Sequence, residues 1–338
     1  MDVKAILEAL INRQNLDMAQ MTELMTAIMS GQLTEVQIAA LLVALRMKGE
    51  TVDEISAAAQ VMRNLAVPVS VASDHVVDIV GTGGDGISTF NVSTACTFVV
   101  AAAGGKVAKH GNRSVSSQSG SADLLEFIGV KLDLSPEQVA QCIQQVGIGF
   151  MFAPLHHSAM KYAIAPRKQM GVRTLFNLLG PLTNPAQAQR QLLGVFAAHW
   201  VEPLAKVLKN LGSVHAMVVH SEDGLDEISI SGTTSVSELK NGEVQSYEIT
   251  PEQFGFSRRP VSDIVVKNPE QSWLLIKSAL NNEDSAGRNI ILLNAGAAIY
   301  VAGLTDSLSL GIQRASDVIA SGAAWKKMQA LVHLSQSF

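Results

Sequence analysis

The chain opens with apolar residues spaced for helices. Val3, Ile6, Leu7, Leu10 and Ile11 fall on one helical face. Thr34-Glu35-Val36-Gln37 and Thr51-Val52-Asp53-Glu54 both have the capping-box spacing, and each stands just before an apolar periodic run. No β-branched alternation interrupts this stretch. The pattern predicts a small all-helical N-terminal domain over residues 1–70, with AVPVSVASD at 66–74 as the link to a second domain.

From residue 75 the texture changes. HVVDIV at 75–80 reads as a short strand followed by glycines, and Asn91 to Ala103 as an apolar helix stopped by Gly104-Gly105. Lys106 to Lys109 is a second strand and Ser121 to Phe127 a helix. Ser135-Pro136-Glu137-Gln138 starts another helix, with proline at its first position. Gly149 to Phe152, Leu192 to Val195 and Met217 to His220 are further strands. Strands alternating with helices predict an α/β domain with a mostly parallel central sheet covered on both faces. Ser235 to Ile249 reads as a hairpin around Asn241-Gly242. Thr250-Pro251-Glu252-Gln253 and Asn268-Pro269-Glu270-Gln271 are expected to open later helices, and residues from Asn289 onward read as helical.

Composition narrows the function classes. The 338 residues are 47% hydrophobic, enough for two packed domains and against global disorder. The formal charge of −5 gives no overall attraction to nucleic acid or to an anionic membrane, so an anionic ligand needs a local cluster. The apolar run from Ile290 to Leu304 is about 15 residues, short of the roughly 20 that a spanning helix needs. The amino terminus lacks the long apolar region of a signal peptide. Cys96 and Cys142 cannot form a disulfide framework. A cytoplasmic protein with no nucleic-acid or membrane partner is expected.

Four segments carry the candidate chemistry. Gly81-Thr82-Gly83-Gly84-Asp85-Gly86 follows a strand, where glycines let backbone N–H groups approach an anion. Asn91-Val92-Ser93-Thr94 then opens a helix whose N-terminus is a second anion site. The loop also fits GxGxxG, but a nicotinamide domain wants a carboxylate about 20 positions on. That neighbourhood is Lys106 to His110, and Asp85 would repel a bare pyrophosphate. Lys109-His110-Gly111-Asn112-Arg113-Ser114-Val115-Ser116-Ser117 comes after the second strand and combines cations with hydroxyls. Asp226-Glu227 comes after a later strand and could join magnesium to substrate phosphates, with Glu222 and Asp223 as competing ligands. The last segment holds His156-His157, Arg167 and Arg173, then FNLLGPLTNP at 176–185. Arg167 could hold a carboxylate, while the adjacent histidines and distant cysteines do not have zinc spacing.

Taken together, GTGGD at 81–85, NVST at 91–94, KHGNR at 109–113, GSAD at 120–123, FNLLGPLTNP at 176–185 and LDE at 225–227 resemble the anthranilate phosphoribosyltransferase family, in its order and over nearly the whole chain. The resemblance implies transfer of the 5-phosphoribosyl group of 5-phosphoribosyl diphosphate (PRPP) to the amine of anthranilate, releasing diphosphate, in the second step of tryptophan biosynthesis from chorismate. It implies two magnesium ions with PRPP, a homodimer, and a helical domain that regains residues from about 165 to 185. The α/β domain then comprises 71–164 and 186–338. By resemblance, Gly81, Gly84, Asp85, Thr89, Asn91, Val92, Ser93, Thr94, the run from Lys109 to Ser117, and Ser121 bind PRPP. Gly81, His110, Asn112, His157 and Arg167 surround anthranilate, and Ser93, Asp226 and Glu227 bind the metal. No residue is assigned as general acid or base. Relatives usually carry proline where Ser158 stands, place one residue earlier the proline found here at Pro166, and often have lysine at Gln118. Pyrimidine nucleoside phosphorylases share the architecture, but their KxSGRGLGHTGG-type segment is missing. A non-catalytic nucleic-acid-binding relative would want a basic groove instead.

Overall fold

The computed structural model describes residues 1–73, 75–113 and 119–338. The first four helices are α1 (Val3–Ile11), α2 (Met18–Met29), α3 (Glu35–Lys48) and α4 (Val52–Leu65). Thr34 and Thr51 accept from Gln37 and Glu54 N–H groups, so both capping boxes form as the spacing predicts. A third box, from Asp17 to Gln20, starts α2.

The next layer runs β1 (Val76–Gly81), α5 (Val92–Ala102), β2 (Lys106–Gly111), α6 (Ser121–Phe127), α7 (Pro136–Gln145) and β3 (Ile148–Phe152). The chain then makes an excursion through α8 (Ala153–His156), α9 (Lys161–Met170) and α10 (Phe176–Leu179). The sheet resumes with β4 (Arg190–Gly194), α11 (Val201–Asn210), β5 (His215–Ser221), β6 (Thr234–Lys240) and β7 (Glu243–Ile249). The chain ends with α12 (Pro269–Leu280), α13 (Ala286–Val301), α14 (Leu308–Ala320) and α15 (Ala323–Gln336).

The seven described strands form one sheet in the order β3-β2-β1-β4-β5-β6-β7. The first five pair in parallel, and β6 and β7 add an antiparallel hairpin to the β5 edge. Asn241 and Gly242 turn that hairpin at φ of 53° and 78°, as an Asn-Gly turn requires. Sequence order reverses between β1 and β4, which opens a crevice at their carboxyl ends.

Strand alternation sends side chains into two cores. Leu192, Met217 and Val219 pack with α5, α13, α14 and α15 on one face. Leu193, Ala216 and Val218 face α11 and join a cluster that also holds residues of α1 to α4, Ala163, and Leu175 to Leu182. The excursion between β3 and β4 thus packs with the N-terminal helices. In α13 every residue but Arg288 is buried, which accounts for its apolar sequence. No described helix is long and apolar enough to cross a membrane. One expected helix is corrected: Thr250 opens only a 3-10 turn, Pro251–Phe254, because Gly255 at φ 80° stops it. Both cysteines are buried and unpaired.

Candidate active site

The glycine loop leaves β1 at the crevice. Gly83, Gly84 and Gly86 all have positive φ, between 64° and 81°, so backbone N–H groups can converge there without a side-chain penalty. Asp226 crosses the strand ends directly above. Gly81 and Gly194 are register partners on β1 and β4. A Cβ on Gly81 would lie 2.3 Å from Asp226 Oδ2, and one on Gly194 only 1.5 Å from the Asp226 carbonyl oxygen. Two missing side chains on neighbouring strands therefore make the slot that holds this acid. Gly83 N–H donates to Asp226 Oδ2 at 2.8 Å. The next residues are pinned from behind: buried Asn294 of α13 accepts from Ile228 N–H and donates to the Ile228 carbonyl, each at 2.9 Å.

Glu227 faces the first turn of α5, where the Ser93 N–H favours its charged form. Asp85, Asp226 and Glu227 thus share one corner. Burial and the Asp226 charge push Asp85 up to about 6. Burial raises Asp226, while burial and the Asp226 charge raise Glu227 well above the carboxylate range. Such a cluster favours a cation or a proton. The rival carboxylates go elsewhere. Asp223 accepts from Ser221 and Ser229 hydroxyls inside its own turn, and exposed Glu222 lies 3.7 Å from Arg258.

At the start of α5, Val92 is buried, Ser93 is half-buried, and the Thr94 hydroxyl is buried with no partner among the described residues. Lys109, 3% exposed, reaches Ile79 O at 2.7 Å and Ser93 Oγ at 3.2 Å. Burial lowers its ammonium, against the raising effect of Asp78 and Glu227. Thr89 bridges Val265 beside the glycine loop. Gly111 ends β2 where a Cβ would strike Ser121 Oγ at 2.2 Å, and Ser121 Oγ donates to the Asn112 carbonyl at 3.3 Å. Arg113 turns outward to Asp123 and Glu126 of α6, at 3.2 and 2.7 Å. Ser114, Val115, Ser116 and Ser117, with Gln118, lie outside the described residues.

Across the crevice, His110 and His157 meet edge to face with ring centroids 5.0 Å apart. Burial first, then neighbouring histidine charge, lowers them to about 3 and about 4, so both are neutral at pH 7. The main chain at Gly180 and Thr183 favours the charged form of His110 and His157 in turn, and each Nε2 is buried with no hydrogen-bond partner among the described residues. Arg167 of α9 lies over the Phe176 ring at 5.2 Å, and among the described residues no carboxylate pairs with it. Pro166 is accommodated inside the same helix.

Two residues build this site without a role assigned from the sequence. Asp78, fully buried in β1, accepts from Asn184 Nδ2 at 2.7 Å and His110 N–H at 3.3 Å. Burial raises it to about 6, against the lowering effect of Lys109. A charged residue inside HVVDIV was the available signal. Arg173 donates to the Gly84 carbonyl and stacks on Phe196 at 4.4 Å, tying the glycine loop to the excursion.

Comparison with known proteins agrees with this layout. Residues 4–66 match the model described as "Glycosyl transferase family, helical bundle domain", and residues 73–325 match "Glycosyl transferase family, a/b domain". The anthranilate phosphoribosyltransferase of Thioalkalivibrio sulfidiphilus is 57% identical over 337 residues, covering 100% of both chains. The crystal structure of the Thermus thermophilus anthranilate phosphoribosyltransferase superposes with a TM-score of 0.93 at 42% identity, over 99% of this chain and 100% of that one. The Saccharomyces cerevisiae enzyme, solved in complex with PRPP and Mg, gives a TM-score of 0.90 at 25% identity, over 99% and 98%. The chain belongs to the anthranilate phosphoribosyltransferases, a branch of the glycosyl transferase family whose helical-bundle and a/b domains it carries.

Proposed function

We propose that the crevice binds PRPP along the glycine loop and the start of α5, binds anthranilate against Arg167, and joins them as N-(5-phosphoribosyl)anthranilate with release of diphosphate. The observation that carries this reading is the carboxylate corner: Asp226 and Glu227 face two anion-binding backbone segments across a slot made by Gly81 and Gly194. An uncompensated acidic pair beside phosphate-binding N–H groups calls for a cation between them.

Magnesium fits that place. It takes hard oxygen ligands, commonly one or two carboxylates completed by substrate phosphates and water. Asp226, Glu227 and the Ser93 hydroxyl are such a set, and among the described residues no group of three acidic, histidine or cysteine side chains would hold a metal alone. We propose two ions with PRPP. When bound, they neutralise the charge developing on the leaving diphosphate.

The remaining work falls to positioning and electrostatics. The Gly84 N–H, the start of α5 and the Thr94 hydroxyl donate to phosphate oxygens. Gly81, Asp85, Thr89, Asn91, Val92, the run from Lys109 to Ser117, and Ser121 line the same substrate. Lys109 adds positive charge from below. Arg167 takes the anthranilate carboxylate, with Asn112, Gly81 and the two neutral histidines around the ring. An aromatic amine is unprotonated at neutral pH, so it attacks carbon 1 of the ribose without a base to activate it. Its proton is lost only as the new C–N bond forms. No general acid or base is assigned.

The domain division at 1–70 with about 165–185, against 71–164 and 186–338, belongs to the same proposal, with the crevice between them. So does a homodimer, supported by Ile11, Val36 and Met47, which are 61%, 78% and 74% exposed on the helical domain. Two buried, unpaired cysteines suit a cytoplasmic location. The deciding experiment monitors anthranilate fluorescence with purified protein, PRPP and magnesium, with EDTA as control. Loss that requires both PRPP and magnesium is expected. No loss at micromolar enzyme from a folded sample would sink the reading.

A further inference from the structure

Asn91 occupies the cap position of α5, yet its side chain does not cap the helix. The amide is fastened elsewhere. Its Oδ1 accepts from Ser272 Oγ at 2.7 Å and from Ser119 Oγ at 2.9 Å, while its Nδ2 donates to the Ser119 carbonyl at 2.9 Å. The main-chain N–H of Asn91 donates to the same Ser272 oxygen at 3.0 Å. Ser272 is wholly buried in the first turn of α12 and comes from 181 positions further along the chain.

The donor and acceptor count is informative. An asparagine amide offers two lone pairs and two N–H bonds. Both lone pairs and one N–H are in use, so one N–H is left. Turning the amide over would set Oδ1 against the Ser119 carbonyl and lose a buried hydrogen bond, which is costly. Val92 N–H already donates to the Phe90 carbonyl at 2.7 Å; with the Asn91 side chain held away from its own helix, the Thr94 N–H, which such a cap would occupy, keeps its freedom to meet an anion.

We infer that Ser272 is a positioning residue for PRPP: it locks the Asn91 amide so that its remaining N–H faces the substrate and the start of α5 stays uncapped. Ser272 itself touches no substrate. The inference rests on the proposed contact between Asn91 and PRPP.

The test is a double-mutant cycle with Ser272→Ala, Asn91→Ala and the pair in the full chain, by anthranilate fluorescence. Ser272→Ala is expected to raise the PRPP KM about tenfold, with kcat and the anthranilate KM within about twofold. Added to Asn91→Ala, it should raise the PRPP KM by no more than about twofold, since only the main-chain bond from residue 91 is then left to lose. Trp273, the neighbour of Ser272, stacks on Trp325 at 5.7 Å, so tryptophan emission reports whether α12 has moved. If it has, Ser272→Thr decides, because it keeps the hydroxyl and should retain the wild-type PRPP KM. Additive effects, equal rises in both KM values, or a Thr variant as impaired as Ala would overturn the inference. A wild-type protein that never consumes anthranilate would sink the function instead.

Discussion

Two glutamates in this protein show how burial can serve opposite ends. Glu54, at the start of α4, is fully buried and fully matched. It accepts from Leu16 N–H, Thr51 N–H and Lys48 Nζ, each at 2.8 Å. Glu227, at the crevice, has the Ser93 N–H and the more distant Lys109, but also the Asp226 and Asp85 charges. The first acid completes a helix-capping network. The second is left in need of positive charge, which is what a metal and phosphate site requires. The count of donors against like charges, more than burial itself, separates the structural acid from the proposed metal ligand.

The largest expected effect breaks the structural half. Glu54→Ala leaves Lys48, only 2% exposed, without its counter-charge, and should cost about 3–5 kcal/mol in denaturant titration. The folded fraction should keep its kcat. Next comes the functional half: Glu227→Gln should lower magnesium-dependent turnover about 10²-fold. It should also raise metal-free stability by on the order of 1 kcal/mol at pH 8, since burial there penalises the charged form. A variant that lost both stability and turnover would erase the contrast.

Arg167→Ala probes a cation that no carboxylate pairs with among the described residues. It should raise the anthranilate KM by about 10–100-fold with little change in melting temperature. The smallest effect is in pH. Asp85 is raised to about 6 in the fold, so between about 4 and 6 the native state holds a proton that the unfolded chain has released. Its contribution to metal-free stability is full below about 4 and declines as pH rises to about 6. A magnesium ion at the neighbouring Asp226 and Glu227 would favour the charged form of Asp85, so its apparent affinity should weaken as pH falls below about 6. Thermal shift against magnesium concentration across pH 5 to 8 reads both.

Local signals were legible where neighbours in sequence are neighbours in space. The capping boxes at Thr34 and Thr51, the Asn241-Gly242 turn and the positive-φ glycines of the loop all act within a few residues. Thr250 carried the same local signal and opened only one turn, because Gly255 ends it. Long-range partners were not legible. Asn184 lies 106 positions from the Asp78 it holds, and nothing around Ser272 hints at Asn91. Family motifs pointed to Asp226 and Glu227, but not to Gly194 as the floor beneath them.

That floor has a consequence for anyone redesigning the enzyme. The position of the acidic pair is encoded in empty space on two other strands, so its height above the sheet has a mechanical adjustment independent of the acids. Alanine at Gly194 would force the Asp226 main chain outward, since its Cβ would need room already taken by the Asp226 carbonyl. Alanine at Gly81 would meet the carboxylate alone, whose torsions can yield. The two glycines are a coarse and a fine dial on the distance between an anchored carboxylate and whatever cation the crevice is asked to accept.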